Sequence, residues 1–318
     1  MPDLERIEKL LFRRHAADVD LDSLPILFIV ASPRTGSTLI YQYLINRFGA
    51  WYVSNFVDAQ FSTVPAVGVD LELSLTPRVH VGYESSYGKT EGLFAPSEGS
   101  HLFRNWFGGE HPSQTCSSKV LPGMQEHFIS TMKCIHRLTG RALLMKNAWN
   151  CFRIEELARI LPSSHFVWIR RDIRASAVSD LEARHRRGGP NVWNSATTTN
   201  YKEIQKRPYW EQVVEQQYEY NKAVGKDLRE FREGHYIEMW YEGLCSNPES
   251  VASKVEAYFA ALGLPIEARS KRIPVFEASP GPEGMSEDRE MIAEYVSAEG
   301  DRLSEYTYNG RACAAGGE

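Results

Sequence analysis

The chain has 318 residues, 42% of them hydrophobic, and its 41 acidic and 36 basic side chains give a formal net charge of −5. A chain of this size can bury a large core, in one domain or two. The acidic balance argues against a nucleic-acid-binding surface over the whole molecule, although a local basic patch is compatible with it. Five scattered cysteines without a C-x-x-C pair favour reduced thiols over a disulfide framework or a zinc site.

The N-terminus is charged throughout and lacks the apolar core of a signal peptide, and no apolar run approaches the ~20 residues that span a bilayer. We therefore expect a cytoplasmic protein that does not enter a membrane. We also expect residues 1–318 to form a single domain, with an irregular insertion at about residues 51–120 and a flexible tail at about residues 310–318.

Hydrophobic periodicity predicts an alternation of helices and strands along the chain. Helices are expected at residues 4–17, 36–46, 125–138, 152–160, 174–184, 209–231 and 248–262. Strands are expected at residues 26–31, 142–146, 165–170 and 235–240. Residues 51–92 look irregular, and the basic stretch 184–190 is expected to break order. This alternation is typical of an α/β fold with a parallel sheet between two layers of helices.

The run ILFIVASPRTGSTLI at residues 26–40 reads as a buried strand, a polar turn and the start of a helix. Backbone amides of such a turn, together with the helix dipole, bind phosphate. A nucleotide triphosphatase loop reads G-x-x-x-x-G-K-[ST], but here Ala31 and Ser37 replace the first Gly and the Lys, and the cation is Arg34. The run therefore predicts a phosphate site without the ATP and magnesium apparatus. The alternative is an ordinary strand-to-helix connection with hydroxyl caps.

Cations follow three of the predicted strands where each strand ends. Arg34 lies in the loop after the first strand, Lys146 ends the second, and Arg170 and Arg171 end the third. Because ligands of parallel α/β sheets bind beyond the carboxyl ends of the strands, we expect these cations to share one crevice.

Arg171 is followed eight residues later by Ser179, about two turns into the next predicted helix. A guanidinium fork with a nearby hydroxyl suits a terminal phosphate monoester. The alternative is a surface ion pair between Arg171 and Asp172 or Asp180.

Together these motifs resemble the PAPS-dependent sulfotransferase superfamily, with parallels among bacterial sulfotransferases and tyrosylprotein sulfotransferases. The resemblance rests on SPRTGST at residues 32–38, KN at 146–147, RDIR at 171–174, WYEGL at 240–244 and NP at 247–248, and it spans residues 26–262. Ile173 replaces a frequent Pro, Gly243 replaces the usual Asp, and a C-terminal Arg-Lys-Gly motif is absent. The resemblance implies a P-loop-like three-layer sandwich, PAPS as sulfuryl donor, PAP as product, a small-molecule acceptor and no metal.

The family's site residues map onto this sequence one by one. The resemblance assigns the 5′-phosphosulfate to the loop, the 3′-phosphate to an Arg and a Ser, and a Tyr to the neighbourhood of the adenine. The implied cofactor-binding residues are Arg34, Thr35, Gly36, Ser37, Thr38, Arg171, Ser179 and Tyr241. Arg34 and Lys146 are also expected to be catalytic, because a cation aimed at the bridging oxygen stabilises the negative charge that develops there.

The acceptor hydroxyl needs a general base, which we expect in the insertion. The candidates are Asp58, Glu84, Glu91, Glu98, His101 and His111. The run 96–106 combines a carboxylate, a His and aromatic residues, which makes Glu98 the first choice and His101 the second. The aromatic residues of the insertion suit either the walls of an acceptor site or a core, and the sequence does not separate the two.

Two other functions are compatible with a phosphate-binding loop. One is a P-loop kinase of a small metabolite, which the missing loop Lys disfavours. The other is a non-catalytic protein that binds PAP or another nucleotide, which would need Ser37, Thr38, Arg171 and Ser179 but neither Arg34 nor Lys146.

Overall fold

The computed structural model describes residues 2–75, 82–83, 89–109, 118–263, 276, 286–310 and 313–315. Its sheet contains β1 (Ile26–Ala31), β2 (Leu143–Lys146), β3 (Ser164–Arg170), β4 (Tyr236–Trp240) and β5 (Cys313–Ala315). The spatial order is β2-β1-β3-β4-β5, with the first four strands parallel and β5 antiparallel to β4. The predicted parallel sheet is confirmed, and its four parallel strands end at one edge.

Helices precede, separate and follow the strands. In chain order they are α1 (Pro2–His15), α2 (Ser37–Phe48), α3 (Asn55–Gln60), α4 (Pro65–Leu75), α5 (Ser100–Phe107), α6 (Gln125–Thr139), α7 (Ile154–Ile160), α8 (Ile173–Arg186), α9 (Tyr201–Ile204), α10 (Tyr209–Phe231), α11 (Tyr241–Ser246), α12 (Pro248–Ala261), α13 (Ser286–Ala298) and α14 (Gly300–Leu303). Short 3₁₀ turns lie at Ala148–Phe152 and Ser304–Tyr306. Among the described residues, none of the helices has the length and apolar character needed to cross a bilayer.

Side chains alternate between the two faces of the sheet, and both faces are buried. Phe28 and Phe166 belong to the core on one face, which includes residues of α5, α6, α7 and α10. Ile29 and Val167 belong to the core on the other face, which includes residues of α2 and α12. The result is the predicted three-layer sandwich, with helices on each side of the sheet.

The expectation of irregular structure at residues 51–92 is wrong where α3 and α4 form. Ser54 begins α3 by accepting a hydrogen bond from the Val57 amide at 3.2 Å. Inside α4, Gly68 allows the Phe61 side chain to pack against the helix, since a β-carbon there would lie 2.5 Å from Phe61. That glycine weakens the sequence signal of a helix whose stability comes from packing.

The expectation that order breaks at residues 184–190 is wrong at the start of that stretch. Helix α8 continues to Arg186, and Arg184 is fully buried between α8 and α10, where it binds Asp180, Gln212 and Gln216 at 3.2, 3.0 and 2.7 Å. These partners compensate the buried guanidinium, so this part of the basic stretch is structural. In the tail, β5 pairs with β4, whereas residues 316–318 lie outside the described part of the chain.

At the amino ends of β3 and β4, His165 stacks on His235 with ring centroids 5.2 Å apart. Burial lowers the pKa of His165 to about 4, with the positive charges of His235 and Arg232 contributing. The unfolded chain takes up this proton at about pH 6.5, so the folded state loses stability as the pH falls from about 6.5 to about 4. The wild type should therefore lose unfolding free energy between pH 8 and pH 5. We expect His165→Gln to lose up to about 2 kcal/mol less than the wild type over the same interval.

Urea unfolding at the two pH values measures this difference. The control is His185→Gln, because the His185 side chain is 42% exposed. Identical pH dependence in wild type and His165→Gln would show that His165 does not carry the effect.

Candidate functional site

The loop after β1 is held from both sides by groups distant in sequence. Beyond the end of β2, the Cys151 thiol takes the place of a neighbouring strand. It accepts a hydrogen bond from the Ala31 amide and donates one to the Ala31 carbonyl, both at 3.2 Å. Burial raises the pKa of this thiol to about 12, so it stays protonated and can donate. On the other side, the Asn221 amide of α10 donates to the Ser32 hydroxyl at 3.4 Å. The loop therefore starts from a fixed strand end.

Within the loop, two residues adopt the left-handed backbone conformation. Arg34 has φ 67° and Gly36 has φ 75°, and Gly36 is the residue that caps the start of α2. The buried Thr35 hydroxyl donates to the Ser32 carbonyl at 2.9 Å, so it closes the turn from within. This turn brings the chain to the N-terminus of a 12-residue helix, the arrangement that favours an anion.

Gly36 also permits a close contact, because a β-carbon at this position would lie 2.3 Å from the Tyr241 ring. We expect Gly36→Ala to lower the unfolding free energy by ~2–4 kcal/mol, from a strained backbone and a displaced ring.

Gly123→Ala is the matched control, since Gly123 has φ 80° and no neighbour within 4 Å of a β-carbon. Chemical denaturation of both variants separates backbone strain from the clash. Equal losses in the two variants would contradict a role for the Tyr241 contact.

Arg34, Arg171 and Ser179 lie together on one side of the loop. Arg34 Nε donates to Ser179 Oγ at 3.3 Å, and an Arg171 η-nitrogen donates to the Arg34 carbonyl at 3.0 Å. The Arg171 guanidinium also lies 4.7 Å from the centroid of the Tyr241 ring. Tyr241 thus packs between the loop and Arg171. The structure brings these four predicted residues together.

The neighbouring charges around Arg171 have other partners. Arg170 pairs with Glu238 at 3.0 Å, which makes it a structural residue of the β3–β4 pair. Asp172 begins α8 and pairs with Arg174, and Asp180 pairs with the buried Arg184. The surface ion pair that the sequence left open for Arg171 does not form among these described residues.

Lys146 and Glu98 form an ion pair at the end of β2. Lys146 Nζ also donates to the Thr38 hydroxyl at 3.3 Å, which connects the pair to the first turn of α2. The Lys146 side chain is 9% exposed and that of Glu98 is 30% exposed. Asn147 donates to the Glu98 carbonyl at 3.1 Å and thereby fixes the backbone of Glu98. Ser37 lies beside Thr38 as the first residue of α2.

His101 lies on the same segment but contacts a different carboxylate. Its Nδ1 is 3.4 Å from Asp58, and its side chain is 56% exposed. Asp58 accepts hydrogen bonds from the amides of His101 and Leu102 and from the Ser97 hydroxyl at 2.9, 3.0 and 2.8 Å. Asp58 therefore caps α5 from another helix and holds the segment on either side of Glu98.

Three candidates for the general base remain, namely Glu84, Glu91 and His111. Glu91 is exposed and precedes the segment that carries Glu98. Glu84 and His111 lie outside the described residues.

A model of the sulfotransferase family matches residues 25–267. The chain belongs to the sulfotransferase family. The match begins just before β1 and extends past α12, so it covers every parallel strand and the loop, Lys146 and Arg171.

Solved sulfotransferase structures resemble this chain at low sequence identity. STF9 of Mycobacterium avium matches with 10% identity and a TM-score of 0.49, over 92% of this chain and 72% of that chain. STF1 of Mycobacterium tuberculosis matches with 10% identity and a TM-score of 0.47, over 94% and 81%. A sulfotransferase of Alicyclobacillus acidocaldarius matches with 13% identity and a TM-score of 0.45, over 88% and 94%. No curated protein matches the chain, so the family assignment rests on the family model.

The sequence did not predict the contacts of three residues that support the candidate site of this sulfotransferase. Asn147 belongs to a motif that carries the family resemblance, directly after Lys146, but its contact with Glu98 was not predicted. Cys151 and Asn221 reach the loop from 120 and 189 residues away, and nothing in their local sequence indicates that contact.

Proposed function

We propose that this sulfotransferase moves a sulfuryl group from PAPS to a hydroxyl, or an amine, of a small-molecule acceptor without a metal ion. The observation that carries the proposal is the placement of Lys146, which contacts Thr38 of the phosphate-binding loop and Glu98 at once. A cation, a loop for an anion and a carboxylate are thus adjacent at one edge of the sheet.

The residues around the loop suit a donor with phosphate groups at two positions. The loop amides and the Thr38 hydroxyl suit the phosphosulfate end. Arg34, Arg171 and Ser179 supply two guanidinium groups and a hydroxyl for a terminal phosphate. Arg171 Nε is buried and has no hydrogen-bond partner among the described residues, and buried donors of this kind are almost always paired in proteins. The set therefore fits PAPS.

The proposed reaction is an in-line displacement at sulfur. A bond forms between the acceptor oxygen and sulfur while the bond between sulfur and the bridging oxygen breaks, and the electron pair of that bond stays on PAP. The acceptor proton goes to the Glu98 carboxylate. His101 is the second candidate for this proton.

Lys146 would stabilise the leaving group. Its ammonium lies beside the first turn of α2, where the bridging oxygen of a donor held by the loop would gain negative charge. Because this charge is larger in the transition state than in the ground state, the contact accelerates the reaction rather than only tightening binding. The low exposure of the side chain strengthens the effect.

We propose two roles for Arg34, namely binding of the donor and stabilisation of the charge that develops on the bridging oxygen. Its contact with Ser179 supports the first role, because it places the guanidinium with the residues proposed for the 3′-phosphate. The second role requires the same side chain to reach the bridging oxygen when the donor is bound.

The proposed 3′-phosphate site can be tested by Arg171→Ala. We expect this variant to bind PAP ~10–100-fold more weakly, because a charge-assisted contact to phosphate is lost. Its affinity for adenosine 5′-phosphosulfate, which lacks the 3′-phosphate, should change much less.

Calorimetry with both nucleotides measures the two effects. Arg186→Ala is the control. Arg186 is the last residue of α8, its side chain is 63% exposed, and it pairs with Glu182. Parallel losses for both nucleotides would remove Arg171 from the 3′-phosphate site.

A further inference from the structure

Two consecutive residues at the end of β2 hold Glu98 at two different points. The Lys146 ammonium pairs with the Glu98 carboxylate, while the Asn147 side chain donates from Nδ2 to the Glu98 carbonyl at 3.1 Å. The first contact acts on the side chain, and the second acts on the backbone from which that side chain extends. Because both contacts come from one short piece of chain, Glu98 cannot move relative to Lys146 without breaking at least one of them.

The Asn147 side chain is itself held in one orientation. Asn147 is 2% exposed, and its Oδ1 accepts from the Trp149 amide at 3.1 Å at the start of the 3₁₀ turn Ala148–Phe152. A flipped carboxamide would place its NH₂ group against the Trp149 N–H and its oxygen against the Glu98 carbonyl. Both ends of this buried group are therefore used, and the direction of its donor toward Glu98 is fixed.

The same turn reaches the phosphate-binding loop. Further along it, the Cys151 thiol makes its two hydrogen bonds to the end of β1. At the other end of this piece of chain, Lys146 donates to the Thr38 hydroxyl in the first turn of α2 at 3.3 Å. The segment thus contacts the chain on both sides of the loop, and Asn147 connects Glu98 to the same segment.

The backbone at Glu98 benefits from an external contact because a glycine follows it. Gly99 has φ 65°, begins α5 and has no side chain to cap that helix, and glycine leaves the backbone more freedom than other residues do. Asp58 binds the Ser97 hydroxyl on one side of Glu98 and the first amides of α5 on the other. These contacts flank Glu98, whereas the contact of Asn147 is with Glu98 itself.

We propose that Asn147 is a positioning residue, which keeps the Glu98 carboxylate beside the Lys146 ammonium while the donor reacts. The relative position of a proton acceptor and a leaving-group cation affects the rate strongly, since a misplacement of about 1 Å can cost ~10²-fold. This inference rests on the proposed sulfuryl transfer and adds to it a residue that acts through Glu98. The alternative is that Asn147 only caps the 3₁₀ turn.

Asn147→Ser separates the two contacts of the side chain. The hydroxyl of the variant still accepts from the Trp149 amide and caps the turn, but its shorter side chain withdraws the donor from the Glu98 carbonyl. Asn147→Thr makes the same change with a residue suited to the extended backbone at this position, where φ is −154°, and it replaces Asn147→Ser if that variant unfolds. The control is Asn247→Ser, since the exposed Asn247 begins α12 by accepting from the Ser250 amide at 3.1 Å.

The first experiment needs neither nucleotide nor acceptor. Acetic anhydride acetylates the uncharged form of an amine, and a carboxylate that pairs with an ammonium stabilises the charged form and obstructs the reagent. Peptide mass spectrometry gives the acetylation rate of Lys146 relative to that of Lys222, which is 56% exposed. We expect Asn147→Ser to raise this relative rate ~3–10-fold in the wild-type background and less than ~2-fold in Glu98→Gln, where the carboxylate is already lost.

The second experiment measures the consequence for the reaction. Initial rates of PAP release from PAPS, with phenol as the acceptor probe, should give Asn147→Ser a kcat/KM ~10–100-fold below that of the wild type. Its affinity for PAP, measured by calorimetry, should change less than ~3-fold. In the Glu98→Gln background the same substitution should lower kcat/KM less than ~3-fold, because residues that act as a unit are not additive. Asn247→Ser should match the wild type in both measurements.

The outcomes separate this inference from the function on which it rests. Equal increases in acetylation in the two backgrounds, no increase in either, or an equal loss of kcat/KM in both would overturn the inference and leave Asn147 as a cap of the turn. A fall in PAP affinity as large as the fall in kcat/KM would overturn it as well, because it assigns Asn147 to the donor site. Failure of the wild type to bind PAP contradicts the proposed function instead, and the acetylation rates still decide whether Asn147 holds Glu98 beside Lys146.

Discussion

Lys146→Met is expected to lower kcat by ~10²–10³-fold, because the variant keeps the aliphatic stem but loses the charge beside the bridging oxygen. The affinity for PAP should fall less than ~10-fold, since the contact strengthens mainly in the transition state. Initial rates of PAP formation from PAPS, together with calorimetry of PAP, measure the two quantities.

The control for this charge is Lys222→Met, because Lys222 is 56% exposed and pairs only loosely with Glu219 at 3.8 Å. Equal losses in PAP affinity and in kcat for Lys146→Met would assign Lys146 to donor binding. Unchanged turnover would remove it from the reaction.

Glu98→Gln is expected to lower kcat/KM by ~10²–10⁴-fold, the usual contribution of a general base. The amide retains an oxygen that can accept from Lys146, so the arrangement of the site should persist while the proton acceptor is lost. PAP should bind as in wild type.

Glu91→Gln is the matched control, since Glu91 is exposed seven residues earlier in the chain. His101→Gln decides between the two predicted bases. If His101→Gln loses most of its activity and Glu98→Gln retains most of its activity, the proton goes to the imidazole of His101, which lies 3.4 Å from Asp58.

The layered fold was predictable because its signals are local and repetitive. The bounds of β1 and α10 agree with the sequence prediction, since an apolar run between breakers and a long 3.6-residue period are strong patterns. Helix α4 was missed because an internal Gly and weak amphipathic spacing hide a helix that packs against its neighbours. Arg184 was missed because a basic side chain gives no sign of the buried carboxylate and amides that surround it.

The candidate site likewise contains residues that the sequence could place and residues that it could not. Residues at strand ends, such as Lys146 and Arg171, could be placed at one edge because parallel strands must end together. The contacts of Glu98 with Lys146 and of His101 with Asp58 arise from the packing of segments distant in sequence, which local patterns do not show. The single domain and the cytoplasmic location stay predictions.

Calorimetry of the wild-type protein with PAP, ADP and ATP, each with and without Mg²⁺, tests the central claim most directly. A PAPS-dependent sulfotransferase should bind PAP without metal and at least ~10-fold more tightly than ADP, through its 3′-phosphate. A non-catalytic PAP-binding protein would show the same preference, but its affinity and its lack of turnover would both be unaffected by Lys146→Met. Tighter binding of ATP with Mg²⁺ than of PAP would contradict the proposed donor and favour a kinase.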